Sequence, residues 1–179
     1  MKILFIIAPK NFKDEEYFKT KEVLEKNRFC IDTVSAKPGL AQGVDGGQVD
    51  IKRTIDQINL SDYGGLIIIG GPGALKYLDN EEVYQFIRQA KKIDKFIIAA
   101  ICIAPVILAH TNEFFNKRMT VWSTPLQKWG VRELETNKID YVDRDVVVDG
   151  PVITANGPKA AEAFGSKISE VLDNLSKKD

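Results

Sequence analysis

Short apolar runs rich in β-branched residues recur along the chain, and longer segments with helical spacing separate them. The clearest runs cover residues 3–8, 29–34, 66–69 and 96–101. Most of them lack alternation with polar residues, which indicates strands buried on both faces and therefore a parallel sheet covered by helices. The alternation of strand and helix predicts an α/β fold with a doubly wound sheet.

The segments between these runs have the spacing of helices. Asp14–Lys26 predicts a helix with its first residue as N-cap, and residues 81–92 predict another. Residues 103–110 are apolar almost throughout, as in a helix packed deep in a fold. A last helix is expected to begin near Pro158, with an apolar stripe that reaches Leu175.

Two stretches are less regular. Residues 36–47 hold four glycines and a proline, which predicts a long surface loop. Residues 118–149 have a weaker pattern, but Asp149 and Gly150 lie between two valine-rich runs and predict a hairpin turn, hence a small antiparallel appendage. Since we find no linker or repeat, we expect a single domain over residues 1–179.

The charge and hydropathy of the chain exclude some classes of binding partner. The 179-residue chain has 25 basic and 25 acidic residues, so it has no basic excess for nucleic acid, which we do not expect as a partner. Its longest apolar stretch has 14 residues, whereas a membrane span needs about 20, so we expect no membrane association. The apolar start predicts a buried strand rather than an export signal, and we expect a cytoplasmic protein with reduced thiols.

Cys102 lies between a predicted strand and a predicted helix. A nucleophile at such a sharp turn needs small side chains two residues before and after it, and Ala100 and Ala104 occupy those positions. The helix N-terminus can stabilise an anion by up to about 2 kcal/mol, so we expect the thiol pKa to fall towards neutrality. The pattern favours a reactive cysteine over the alternative of a small buried core residue.

Other residues are expected at the same edge of the sheet. Gly70 and Gly71 follow a buried strand, and the loop either brings an N–H group to a reacting oxygen or is a turn that needs positive φ. Glu16 follows the first strand; on spacing alone it is an ordinary solvated glutamate. It can assist a thiolate only when protonated, since a second negative charge would oppose the first.

The remaining cysteine and the single histidine are given ordinary roles. His110 lies about 12 Å along the helix from Cys102, too far to act as its base, so we expect a structural histidine and no peptidase activity. Cys30 is expected to be buried in a strand as a neutral thiol, and to react less readily than Cys102.

Four motifs resemble the DJ-1/PfpI superfamily, and in particular its DJ-1 branch. The motifs are the elbow around Cys102, the loop at Gly70, the acidic segment that ends at Glu16, and residues 155–158. They occur in the same order as in the family and span nearly the whole chain. The resemblance implies a flavodoxin-like sandwich, commonly dimeric, with Cys102 as the reactive centre and Glu16 as its acidic partner.

The resemblance also implies the rest of the site. The backbone N–H groups of Gly71 and Ile103 would be oxyanion donors, and the pocket would include Gly70, Trp122, Thr124 and Pro158. Two positions depart from the family pattern: Ile103 stands where the peptidase branch has histidine, and Thr124 where the DJ-1 branch commonly has a histidine beside the cysteine.

Two functions of different classes remain nearly level. In the first, the protein is a glyoxalase-like or deglycase-like enzyme of stress protection: Cys102 adds to the aldehyde carbon of a 2-oxoaldehyde, Glu16 moves the proton, and no metal or organic cofactor is needed. In the second, Cys102 is oxidised in a redox sensor or chaperone-like stress protein. A third and less favoured function is that of a binding module in which the elbow is vestigial. The expected partners are a small carbonyl compound or an oxidant, and a second copy in a homodimer.

Overall fold

The computed structural model describes residues 1–176, and a six-stranded sheet forms its centre. The strands are β1 (Lys2–Ile6), β2 (Lys10–Phe12), β3 (Cys30–Val34), β4 (Gly39–Gly43), β5 (Gln48–Ile51), β6 (Gly65–Ile68), β7 (Ile97–Ile101), β8 (Arg118–Met119), β9 (Asp140–Tyr141), β10 (Val146–Asp149) and β11 (Val152–Ala155). The helices are α1 (Asp14–Lys26), α2 (Pro72–Leu78), α3 (Glu81–Lys91), α4 (Pro105–His110), α5 (Trp129–Thr136) and α6 (Ala161–Ser176).

The central sheet has the order β10-β11-β7-β6-β1-β3, and every neighbouring pair is parallel except β10 and β11. Strands β2, β4 and β5 form a second sheet, and β8 pairs with β9. The fold is therefore the predicted flavodoxin-like α/β sandwich. Its antiparallel part is the hairpin predicted at Asp149 and Gly150, which adds β10 as an edge strand.

Both faces of the sheet are buried, which explains why its strands lack polar alternation. Leu4 and Ile6 of β1 point to a core formed with α2, α3, α4 and α5, whereas Phe5, between them, points to a core formed with α1 and α6. Side chains alternate between the two faces of a strand, so each apolar run fills both cores.

The prediction of a loop over residues 36–47 is wrong in part. Residues Gly39–Gly43 form β4, which pairs antiparallel with β5 across a short turn. Glycine has a low strand propensity, so a strand with a glycine at each end resembles a loop in sequence. The pairing of β4 with β2 and β5 outweighs that local preference.

The start of α1 also differs from the prediction. Lys13 is the N-cap, and Asp14 lies in the first turn with its carboxylate turned to the loop between β4 and β5. It accepts hydrogen bonds from the backbone N–H groups of Asp45, at 2.8 Å, and Gly47. This carboxylate therefore fastens the β4–β5 turn to the first turn of α1.

The carboxyl ends of β1, β6, β7 and β11 meet at one edge of the sheet, because these strands are parallel. The segments that leave this edge include Lys13, the glycine loop before α2 and the turn at Cys102. The fold thus brings together regions far apart in sequence. Within residues 1–176, no helix is long and apolar enough to cross a membrane.

Candidate active site

Cys102 occupies a sharp turn between β7 and α4. Its φ angle is 64°, in the left-handed region that non-glycine residues rarely adopt, which agrees with the sharp turn predicted there. Its N–H donates to the Ala155 carbonyl at 2.8 Å, and its carbonyl accepts from the Trp122 N–H at 2.8 Å. These two hydrogen bonds hold the strained residue between β11 and the segment after β8.

The glycine loop before α2 packs against this turn. A Cβ atom at Gly70 would lie 2.7 Å from Cys102 Cβ and 2.9 Å from Glu16 Oε2, so these three residues meet only if position 70 has no side chain. Gly71 has a φ of 103°, and a Cβ there would lie 2.6 Å from the backbone N of Lys13. Both glycines are required by close approach, and the second also by its conformation.

Glu16 is fully buried, so the expectation of a solvated glutamate is wrong. The first turn of α1 packs beneath the glycine loop, where Glu16 Oε2 accepts a hydrogen bond from the Gly70 N–H at 3.1 Å. Its other oxygen, Oε1, has no hydrogen-bond partner among the described residues, and the Cys102 thiol lies close enough to the carboxyl to influence its pKa. Burial raises the pKa of Glu16 to about 7, although the thiol and the Gly70 N–H act in the opposite direction.

Burial and the carboxylate of Glu16 raise the pKa of the Cys102 thiol above its ordinary value. The N–H groups of Gly71 and Ile103 favour the thiolate, as expected for donors at this edge, but they do not outweigh the two larger effects. The expected fall of this pKa towards neutrality is therefore wrong. Near neutral pH the pair holds at most one negative charge, and a thiolate is favourable only while Glu16 holds the proton.

A cavity of about 320 Å³ opens above the Cys102–Glu16 pair. It includes the predicted Gly71, Ile103, Trp122 and Pro158, and its full lining is Lys13, Glu16, Gly71, Pro72, Leu75, Cys102, Ile103, Trp122 and Pro158. A larger cavity of about 680 Å³ adjoins the amino ends of β7 and β11, away from this pair.

Two predicted pocket residues do not line the cavity. Gly70 lies behind its wall and supports Glu16 through the backbone. Thr124 lies in a separate turn, where its Oγ1 accepts a hydrogen bond from the Gln127 N–H at 3.0 Å. Lys13 also lines the cavity but was not predicted to do so, although its place in the acidic segment after β1 was a usable signal.

His110 ends α4, at the opposite end of that helix from Cys102. Its Nδ1 lies 2.9 Å from Asp79 Oδ1, and its Nε2 lies 3.1 Å from Glu133 Oε2, which agrees with the expected structural role. The hydrogen bond to Asp79 is the main cause that raises the His110 pKa. Among residues 1–176, no cluster of three or more His, Cys, Asp or Glu is arranged to hold a metal ion.

Cys30 is exposed, contrary to the prediction that it is buried. It begins β3, the edge strand of the central sheet, and an edge position leaves a side chain open to solvent even within an apolar run. The expected preference of oxidants for Cys102 over Cys30 stays a prediction.

Together, the parallel sheet and the strained cysteine beside a buried glutamate define an α/β protein with a nucleophile elbow. Residues 1–171 match the model of the DJ-1/PfpI family, and the chain belongs to that family.

Several relatives match almost the whole chain. A protein of Methanocaldococcus jannaschii is 36% identical, with 96% of this chain and 82% of the relative covered. Deglycase PfpI of Pyrococcus furiosus is 27% identical (96% and 99% covered), and the glutathione-independent glyoxalase DJR-1.2 of Caenorhabditis elegans is 25% identical (97% and 90%). The crystal structure of a ThiJ/PfpI domain protein from Brachyspira murdochii superposes with a TM-score of 0.87 at 26% identity, with 97% and 96% of the chains covered.

Proposed function

We propose that this protein is an enzyme that converts small 2-oxoaldehydes into 2-hydroxy acids without a cofactor, as a protection against reactive carbonyl compounds. The observation that supports the proposal most strongly is the burial of the Glu16 carboxyl next to Cys102, at a cavity of about 320 Å³. A carboxyl group with a pKa of about 7 is well matched to both take up and return a proton at neutral pH.

The reaction begins with a proton transfer from sulfur. Glu16 accepts the Cys102 proton while the sulfur forms a bond to the aldehyde carbon. It then returns this proton to the carbonyl oxygen, which gives a hemithioacetal and leaves Glu16 ionised. Because Glu16 acts as the base in this step, the resting thiol need not be ionised. The raised pKa of Cys102 is thus compatible with its role as nucleophile.

The remaining steps move one hydrogen between neighbouring carbons. Glu16 removes the proton from the former aldehyde carbon, and the resulting enediolate is protonated at the neighbouring carbon, so the first carbon is oxidised and the second reduced. Water then hydrolyses the thioester and releases a 2-hydroxy acid and the free thiol. The N–H groups of Gly71 and Ile103, which favour negative charge at Cys102, would stabilise the oxyanion.

The names of two relatives support this reaction class. One is a glutathione-independent glyoxalase and the other a deglycase, so both names refer to chemistry of carbonyl adducts. We further propose that the enzyme is a homodimer and works in the cytoplasm, where the free cysteines Cys30 and Cys102 stay reduced.

The proposal is tested by adding methylglyoxal to the purified protein, without glutathione, and measuring lactate. Wild type and Cys30→Ser should form lactate, whereas Cys102→Ser and Glu16→Gln should lose at least about 100-fold in kcat/KM, since each lacks a group needed for proton transfer or attack. Retention of the wild-type rate by Cys102→Ser would disprove the proposal.

A redox sensor is the second candidate function. The same donors that favour a thiolate at Cys102, together with a protonated Glu16, would also stabilise a sulfinate. This function would be favoured if wild type forms no lactate while graded peroxide converts Cys102 to a sulfinate in preference to Cys30, as measured by mass spectrometry.

A further inference from the structure

Lys13 is fixed at the Cys102 cavity by its backbone. It precedes α1, and its N–H donates to the Gly70 carbonyl at 3.1 Å, within the same loop that supports Glu16. A Cβ at Gly71 would lie only 2.6 Å from the Lys13 nitrogen. The start of the Lys13 side chain therefore has a defined position beside the reactive pair.

Lys13 is the one cationic residue among those that line this cavity. The other side chains in its lining, apart from the Cys102–Glu16 pair, are the apolar ones of Pro72, Leu75, Ile103, Trp122 and Pro158. The positive charge of Lys13 also reaches the reactive pair, because it lowers the pKa of Glu16. Because the lining is almost entirely apolar and the ammonium is paired with Asp45, an anion in this cavity meets the positive charge only when the ammonium turns away from Asp45.

Asp45 engages this ammonium in the free protein. Lys13 Nζ donates to Asp45 Oδ2 at 2.6 Å, and the two side chains are 26% and 54% exposed. Asp45 lies on the turn between β4 and β5, which Asp14 fastens to α1. An ion pair this exposed contributes little stability, so the ammonium can exchange Asp45 for another anion at small cost.

We propose that Lys13 determines substrate specificity: it makes the cavity select 2-oxoaldehydes with an anionic substituent such as a carboxylate, and Asp45 holds the ammonium until the substrate binds. This inference rests on the proposed function and narrows its substrate class. The carboxylate would pair with Lys13 while the aldehyde carbon reacts with Cys102.

A suitable substrate is 4,5-dioxopentanoate, whose neutral five-carbon counterpart is 2-oxopentanal. Each takes up one water, its aldehyde carbon is oxidised to a carboxylate, and the neighbouring ketone is reduced to an alcohol. The distal carboxylate of the first compound takes no part in the chemistry. A difference between the two compounds therefore reports on recognition of that group.

The test measures kcat/KM for both compounds and compares their ratio, because an influence of Lys13 on Glu16 acts on both. Lys13→Met should lower the ratio of anionic to neutral substrate about tenfold, mainly through KM, whereas Lys13→Arg should largely restore it. Asp45→Asn should raise the ratio by removing the competing anion. The matched control is Lys19→Met, which removes an exposed lysine of α1 outside the cavity. An equal loss for both substrates in Lys13→Met would contradict the inference.

A second measurement needs no turnover and separates this inference from the proposed function. In a Cys30→Ser background, 4-oxopentanoate and its neutral counterpart pentan-2-one are tested as protectants of Cys102 against iodoacetamide. Lys13→Met should raise the half-protecting concentration of the carboxylate about tenfold and leave that of the ketone unchanged. Equal effects on the two protectants, or none, would overturn the role of Lys13 even if methylglyoxal is a substrate.

Discussion

At the scale of single residues, the burial of the Glu16 carboxyl lowers the stability of the fold at neutral pH. Its pKa is about 7 in the folded protein against an ordinary value of 4.5, so the folded state binds the proton more tightly than the unfolded state. The contribution of Glu16 to the free energy of unfolding is therefore complete below pH 4.5, and it is lost as the pH rises to about 7. The difference in pKa corresponds to about 3 kcal/mol.

This cost predicts a pH-dependent gain in stability for Glu16→Gln. Gln keeps the shape and the oxygen that accepts the Gly70 N–H but does not ionise. Urea unfolding should show that its advantage over wild type grows by about 3 kcal/mol between about pH 4.5 and 7.5. Glu25→Gln, at an exposed position of α1, is the control and should show no such growth. A constant difference between Glu16→Gln and wild type would contradict the assigned pKa.

At the scale of elements, His110 connects three helical segments. It ends α4, contacts Asp79 directly after α2, and contacts Glu133 within α5. Because these carboxylates raise its pKa, its protonated form stabilises the fold fully below about pH 6.5, and this contribution disappears as the pH rises through the raised value.

The helix contact predicts that replacement of His110 costs stability at low pH, and that this cost falls as the pH rises. Wild type should exceed His110→Gln in free energy of unfolding by about 1 kcal/mol near pH 6, and the difference should shrink towards pH 9. Thermal or urea unfolding across that range measures it, and the titration of Glu16 cancels in the comparison. A difference that stays constant or grows with pH would show that the ion pairs are not the cause.

The elements also show how far a sequence pattern reaches. The strands of the central sheet and α1 were predicted closely, because a run buried on both faces or a long amphipathic segment is a local signal. Strand β4 and helices α2 and α5 were missed. Strand β4 is glycine-rich, and the two helices are short, so tertiary pairing and packing decide their structure more than local propensity does.

The site was predictable to the degree that its parts lie in motifs. The pattern of Cys102 and its small neighbours predicts the elbow, and Gly71 indicates a close approach between two backbone segments. Neither the burial of Glu16 nor the resulting rise in the Cys102 pKa follows from spacing, since both depend on how α1 packs beneath the glycine loop. The cavity position of Lys13 depends on the same packing.

At the scale of the whole molecule, we predict a homodimer in solution. Closed two-fold dimers are the commonest assembly of soluble proteins, and the DJ-1/PfpI family membership favours the same state. Light scattering coupled to size exclusion should give twice the chain mass of 20.0 kDa across a wide concentration range. A mass of one chain at all concentrations would contradict this prediction.

The central claim is that Cys102 and Glu16 act as one unit that shares a proton, and the most direct test is the pH dependence of Cys102 alkylation. With iodoacetamide in a Cys30→Ser background, Glu16→Gln should shift the alkylation midpoint to lower pH by about 1–3 pH units, because it removes the negative charge that opposes the thiolate. Glu25→Gln, at an exposed position of α1, should leave the midpoint in place. If Glu16→Gln has the same midpoint as wild type, or a higher one, the two groups are not coupled and the account is wrong.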